Sequence, residues 1–160
     1  MSAFFALREM TDYKKTHPHI EFTMHLYDSW SSLRKEELLE SEYPMIGKYD
    51  DNYLNRTKEN LKEFEDNLVY HIGYIPESFE MSPQMDKKMI YLHIDLNSAK
   101  PTDDALQFFY PQLARGSVIL FDDYGWEGFE DTKEIVDDYF ANKKGILMKL
   151  PTGQAIYFIR

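Results

Sequence analysis

Short, wholly apolar runs alternate along this chain with longer stretches in which apolar residues return every three or four positions. Phe4, Leu7 and Met10 stand at helical spacing and run into Lys14-Lys15 and His17-Pro18, which predicts an opening helix that ends there. Ile20 to Tyr27 is β-prone and stops at Asp28-Ser29-Trp30, giving a first strand. From Ser31 to Asp66 the chain turns polar, with Glu36, Glu37, Glu40 and Glu42 ahead of Pro44, Gly47, Asp50 and Asp51, and with a helical pattern over Thr57 to Phe64. Two readings of residues 31–66 stand side by side: a mobile, partly helical insertion or lid over a site, or a solvated helical connection.

Leu68 to Ile75, ended by Pro76, and Met89 to Leu96 predict two further strands, apolar on both faces and therefore expected inside a parallel sheet. Pro101-Thr102-Asp103-Asp104 opens a helix that carries Leu106, Phe109 and Leu113 on one stripe and closes at Arg115-Gly116. Ser117 to Phe121 is an apolar strand that runs straight into Asp122-Asp123-Tyr124-Gly125. Thr132, Ile135, Val136, Tyr139 and Phe140 form the buried stripe of a last helix that stops near Lys143-Lys144-Gly145. Ile146 to Leu150 and Ala155 to Ile159, joined by Pro151-Thr152-Gly153-Gln154, predict a terminal hairpin. This order predicts one α/β domain over residues 1–160. Its sheet is open, Rossmann-like and mostly parallel, with an antiparallel strand from the hairpin and helices on both faces.

Composition narrows the partners. With 28 acidic against 18 basic residues the net charge is -10, so a phosphate backbone or an anionic membrane is repelled and neither nucleic acid nor membrane is an expected partner. The absence of cysteine excludes disulfides and thiolate metal sites, leaving oxygen and imidazole as ligands. No run is apolar for long enough to span a bilayer, and the first ten residues lack the pattern of a signal peptide. The expectation is a soluble, cytoplasmic protein.

Ligands of an open α/β sheet bind where its strands end, so the informative residues follow each apolar run. Here these are Asp28, Gly73, Asp95 and the pair Asp122-Asp123. One strand–helix–strand crossover separates Asp95 from Asp122, which predicts neighbouring strands about 5 Å apart. Three carboxylates that close either share a proton or hold a cation, and an all-oxygen set favours Mg²⁺ or Ca²⁺ over zinc. The plainer reading makes Asp122-Asp123 the cap of a turn before the next helix, and Asp95 and Asp28 turn formers. Asp28 is alternatively an acceptor for ribose hydroxyls. His25, His71 and His93 fall inside strands and read as hydrogen-bonded core residues, while Met81, Met85 and Met89 read as packing or loop residues. Tyr124 and Trp126 either line a substrate pocket or pack on helices.

Leu26-Tyr27-Asp28-Ser29-Trp30, His93-Ile94-Asp95-Leu96-Asn97-Ser98, Thr102-Asp103-Asp104-Ala105-Leu106, Tyr110-Pro111-Gln112-Leu113 and Gly116-Ser117-Val118-Ile119-Leu120-Phe121-Asp122-Asp123-Tyr124 together resemble the macrocin O-methyltransferase family, over nearly the whole chain. The resemblance implies methylation of a hydroxyl on a small molecule, sugars of natural products among them, with S-adenosylmethionine and Mg²⁺. It matches Asp95, Asp122 and Asp123 to metal ligands, with Asp95 and Asp122 catalytic. It further matches Asp28 to the acid on the cofactor ribose and sets Gly73, Tyr74 and Ile75 beside the adenine.

The same resemblance expects one more strand and a glycine-rich turn ahead of Ser2, lying between the strands that end at Asp28 and Asp95. Without it two facing edges would leave roughly ten unpaired backbone groups, at about 1 to 3 kcal/mol each if buried, against a net domain stability of about 5 to 15 kcal/mol. Three resolutions follow: a longer parent chain, direct pairing of the two edges, or a partner in the gap, with a homo-oligomer left open. Two rivals to a methyltransferase are a non-catalytic binding or assembly module on the same fold, and a Mg²⁺ enzyme of phosphoryl chemistry. The second is disfavoured by the lack of a Gly-x-x-x-x-Gly-Lys loop.

Overall fold

The computed structural model describes residues 2–49, 53–80 and 88–160; Asp50, Asp51, Met81 and Met85 lie outside them. The elements run α1 (Ser2–Thr16), β1 (Met24–Asp28), α2 (Leu54–Asn60), β2 (Leu68–Ile72), α3 (Glu77–Glu80), β3 (Met89–Ile94), α4 (Ala99–Phe109), β4 (Leu113–Phe121), α5 (Glu130–Phe140), β5 (Gly145–Lys149) and β6 (Ala155–Ile159). Each predicted element is present with shifted ends. β4 starts four residues before Ser117 because Gly116, at φ 85°, absorbs the register shift between Met89 and Tyr91 of β3. Pro101 sits in the first turn of α4, where its missing N–H costs no helical bond.

The strands of the described residues form two open sheets. β1 and β2 pair in parallel, and β3, β4, β6 and β5 form the second sheet in that order, with β3–β4 parallel and the β6 pairings antiparallel. Helices and open sheets, mostly parallel and finished by an antiparallel hairpin, make up the expected α/β class. Among the described residues no ladder joins β1 to β3, so the two edges do not pair directly there. The expectation of inner strands for β2 and β3 is not met among the described residues, where each pairs on one side only. Ile72 is 47% and Ile90 61% exposed, since an edge strand has a neighbour on one side only.

Among the described residues two apolar cores hold these layers. Leu106 and Phe109 of α4, Val136 and Phe140 of α5, and Ile119, Phe121 and Tyr157 of the larger sheet form the main one, each large side chain contributing about 1.5 to 3 kcal/mol by leaving water. Leu7 of α1 packs with Leu61 and Phe64 over Met24, Leu26 and Leu68 of the smaller sheet. On that sheet's opposite face Tyr27 stacks on His71 with ring centroids 4.1 Å apart, and it meets Phe79 and Phe109 edge-on. Tyr27 thereby packs the smaller sheet against the main core through the helix residues Phe79 and Phe109.

His25 and His71 share a hydrogen bond, Nδ1 to Nε2, at 2.9 Å, and burial lowers the pKa of both. The third histidine departs from expectation: the Nε2 of His93 is buried with no hydrogen-bond partner among the described residues. The polar stretch after β1 is tied down at several points. Leu33 exchanges backbone hydrogen bonds with Gly47 and Lys48. Buried Glu42 accepts the N–H groups of Leu39 and of Ala99, the first residue of α4, at 2.9 and 2.7 Å. No helix among the described residues is long and apolar enough to cross a membrane.

Candidate active site

Parallel pairing sets Ile94 opposite Phe121, and the Asp122 N–H extends the ladder by donating to the Ile94 carbonyl at 3.0 Å. Asp95 and Asp122 therefore leave the sheet side by side. Beyond the last ladder bond the chain turns, and both Asp122 and its successor Asp123 point to the side of Asp95. One carboxylate oxygen from each of the three lies within 4.8 Å of the others.

Donors from other loops hold two of these acids. Asp122 Oδ1 accepts the Gln154 side-chain amide at 2.5 Å, and Asp123 Oδ2 accepts the Asn97 backbone N–H at 2.9 Å. The next helix, α5, begins only at Glu130, so the acid pair does not cap it. Burial, then the Asp95 carboxylate, pushes the Asp123 carboxyl from 3.8 up to about 6, and the Asn97 N–H only partly offsets this. Asp95 faces the open cavity, yet surrounding protein together with Asp122 and Asp28 raises its carboxyl too. Three hard oxygen donors whose ligand atoms lie within 4.8 Å of one another fit a divalent cation such as Mg²⁺, which would remove their mutual repulsion and complete its shell with water.

Beside the cluster lies a cavity of about 470 Å³, between the carboxyl ends of β1 and β3. Asp28, Gly73, Tyr74, Ile75 and Asp95 all line it, so every residue expected at a cofactor site faces one space. Asp28 is a turn former as well: its Oδ1 accepts the Trp30 N–H at 2.7 Å, and burial raises its pKa. Gly73 donates its N–H to the Asp28 carbonyl at 3.0 Å, which joins the two strand ends.

Backbone strain concentrates here. Among the described residues three non-glycines adopt positive φ, Trp30 (47°), Tyr49 (63°) and Asn97 (55°), and all three line this cavity. Such conformations cost energy that surrounding structure must offset, and they gather at ligand sites. Tyr49 was invisible in the sequence, where nothing marks residue 49 as returning to the acids; both Asp123 and Asp95 add to the burial that raises its phenol pKa. Gln154 was hidden in a hairpin turn. Tyr124 and Trp126 stand apart from the cavity: the buried Tyr124 hydroxyl bonds Asp137 of α5, and Trp126 lies over Gly153.

No family model and no curated protein matches this sequence. Solved structures do match it. The O-methyltransferase NovP superposes with a TM-score of 0.78 at 17% identity, over 96% of this chain and 66% of that one. CalS11, a calicheamicin methyltransferase, superposes with a TM-score of 0.69 at 17% identity, over 85% of this chain and 60% of its own. A second structure of CalS11, described as a TDP-rhamnose 3'-O-methyltransferase, gives 0.58 at 18% identity. This chain spans less than two-thirds of the length of each of these relatives, and what it shares with them is the α/β fold of O-methyltransferases.

Proposed function

We propose that this chain carries the metal and cofactor sites of an S-adenosylmethionine-dependent, Mg²⁺-assisted O-methyltransferase acting on a hydroxyl of a small molecule, a sugar being the favoured class. The observation that carries the reading is the convergence of Asp95, Asp122 and Asp123 within 4.8 Å beside a cavity that also holds Asp28 and Gly73 to Ile75. Its likeness in fold to NovP and CalS11 supports it. Net charge -10 speaks against nucleic acid or membrane as partner, and the cysteine-free composition suits the cytoplasm.

In this reading Asp95, Asp122 and Asp123 hold the cation, which supplies a Lewis acid that lowers the pKa of the acceptor hydroxyl. Asp28 accepts hydrogen bonds from the ribose of S-adenosylmethionine, and Gly73, Tyr74 and Ile75 flank its adenine. S-adenosylmethionine held there would supply an electrophilic methyl group and depart as the neutral thioether, and the carboxylate oxygen of Asp95 that does not face the cation would take the proton lost by the acceptor hydroxyl. Fixing both partners in line is the chief contribution of such a site. Incubation with S-adenosylmethionine, MgCl₂ and a panel of sugars and glycosides tests the assignment by mass spectrometry. S-adenosylhomocysteine that forms only with an acceptor and disappears with EDTA supports it; product insensitive to EDTA contradicts the role of the acids.

A further inference from the structure

Phe121, the last residue of β4, lies opposite Ala155, the first of β6, so Asp122 and Gln154 face each other one step past the ladder. There the turn between β5 and β6 is fastened to the acid loop at several points. The Gly125 N–H donates to the Gly153 carbonyl at 2.6 Å, and the Leu150 and Gly153 N–H groups close the turn on Gln154 and Leu150. Gly153 has φ 86°, and a Cβ there would stand 2.9 Å from the Trp126 indole, so this close fit needs glycine.

Within this fixed turn the Gln154 amide has one orientation. Thr152 Oγ1 donates to Gln154 Oε1 at 3.0 Å, which leaves Nε2 to donate to Asp122 Oδ1 at 2.5 Å. Flipping the amide would set its oxygen against a carboxylate and its NH₂ against the Thr152 hydroxyl, losing the contact with Asp122. The donor is neutral, so it restrains Asp122 without cancelling the charge that attracts a cation. A lysine at this place would form an ion pair in competition with the metal.

We propose that Gln154, oriented by Thr152, is a positioning residue of the acid cluster, fixing the Asp122 carboxylate for divalent-metal binding from the terminal hairpin. The inference rests on the metal reading of Asp95, Asp122 and Asp123 given above. Outer-shell partners of this kind characteristically change metal affinity by roughly 10- to 100-fold when removed.

Titration of MnCl₂ into the full chain by calorimetry tests it, with melting of the metal-free proteins run alongside. Gln154→Ala should weaken binding roughly 10-fold or more, and Thr152→Ala should weaken it less. Gln154→Lys keeps a donor to Asp122 and should melt at or above the wild-type temperature, yet bind Mn²⁺ most weakly of all. A purely structural role predicts instead that the lysine variant restores both properties. Wild-type affinity in Gln154→Ala, within about threefold, overturns the proposal while leaving the metal site standing. No Mn²⁺ binding by the wild-type chain overturns the metal reading and this proposal together.

Discussion

The Asn97 backbone N–H donates to Oδ2 of Asp123 at 2.9 Å, tying the loop after β3 to the second of the two acids after β4. Asn97 reaches that position with φ 55°, so a residue in a sparsely populated conformation holds the most buried acid of the cluster. Local strain and clustered charge thus occupy the same few residues, and their consequences are measurable.

The first concerns pH. Asp123 has a folded pKa of about 6 against an ordinary 3.8, so the folded state holds its proton more tightly than the unfolded one. Its ionisation therefore costs stability as pH rises from about 4 to 6, by up to about 3 kcal/mol. Asp123→Asn should melt several degrees above the metal-free wild type at pH 7.5 and show no such gain at pH 4. Thermal melts of the two proteins in EDTA across that range check it, and a gain that does not change with pH contradicts it.

Removing charge from both members of the pair should abolish metal binding and leave the fold intact. Asp122→Asn with Asp123→Asn should keep the wild-type far-ultraviolet circular dichroism, because neither side chain belongs to an apolar core. Metal-dependent methyl transfer should vanish in the double variant. Transfer that survives in it would contradict the role given to these acids.

Asp28 should separate cofactor from metal. Its Oδ1 already accepts the Trp30 N–H at 2.7 Å, and Asp28→Asn retains an acceptor for that bond while losing the charge offered to ribose hydroxyls. Affinity for S-adenosylhomocysteine should fall roughly 10-fold, the size of one charge-assisted hydrogen bond at about 1.5 kcal/mol. Mn²⁺ affinity should change little. Calorimetric titration of each ligand measures both.

Glu42 should govern how the stretch after β1 sits on the domain. Its buried carboxylate accepts the Leu39 and Ala99 N–H groups, and Glu42→Ala leaves both donors without it at a cost of about 1 to 3 kcal/mol each if they stay dry. Hydrogen exchange should quicken at Leu39 and Ala99 in the variant. The β5–β6 hairpin, remote from these bonds, should keep its protection.

Much of this was legible in the sequence because apolar runs and helical stripes report burial directly. The crossover from Asp95 to Asp122 carried enough information to place β3 beside β4, and that pairing sets Asp95 beside Asp122, with Asp123 brought in by the turn that follows. Edge exposure was not legible: Ile72 and Ile90 belong to apolar runs, and composition does not reveal how many neighbours a strand has. Tyr49 and Gln154 escaped for another reason. Their contacts come from where two loops return in space, and no periodicity encodes a loop's path.

In the proposed reading, the acid cluster and the neighbouring cavity form one methyl-transfer site. Calorimetric titration of S-adenosylhomocysteine into the full chain, with and without MgCl₂, measures whether they do. Saturable one-to-one binding in Mg²⁺, weakened by Asp28→Asn, is expected. No detectable heat under either condition, from protein shown to be folded, would contradict it.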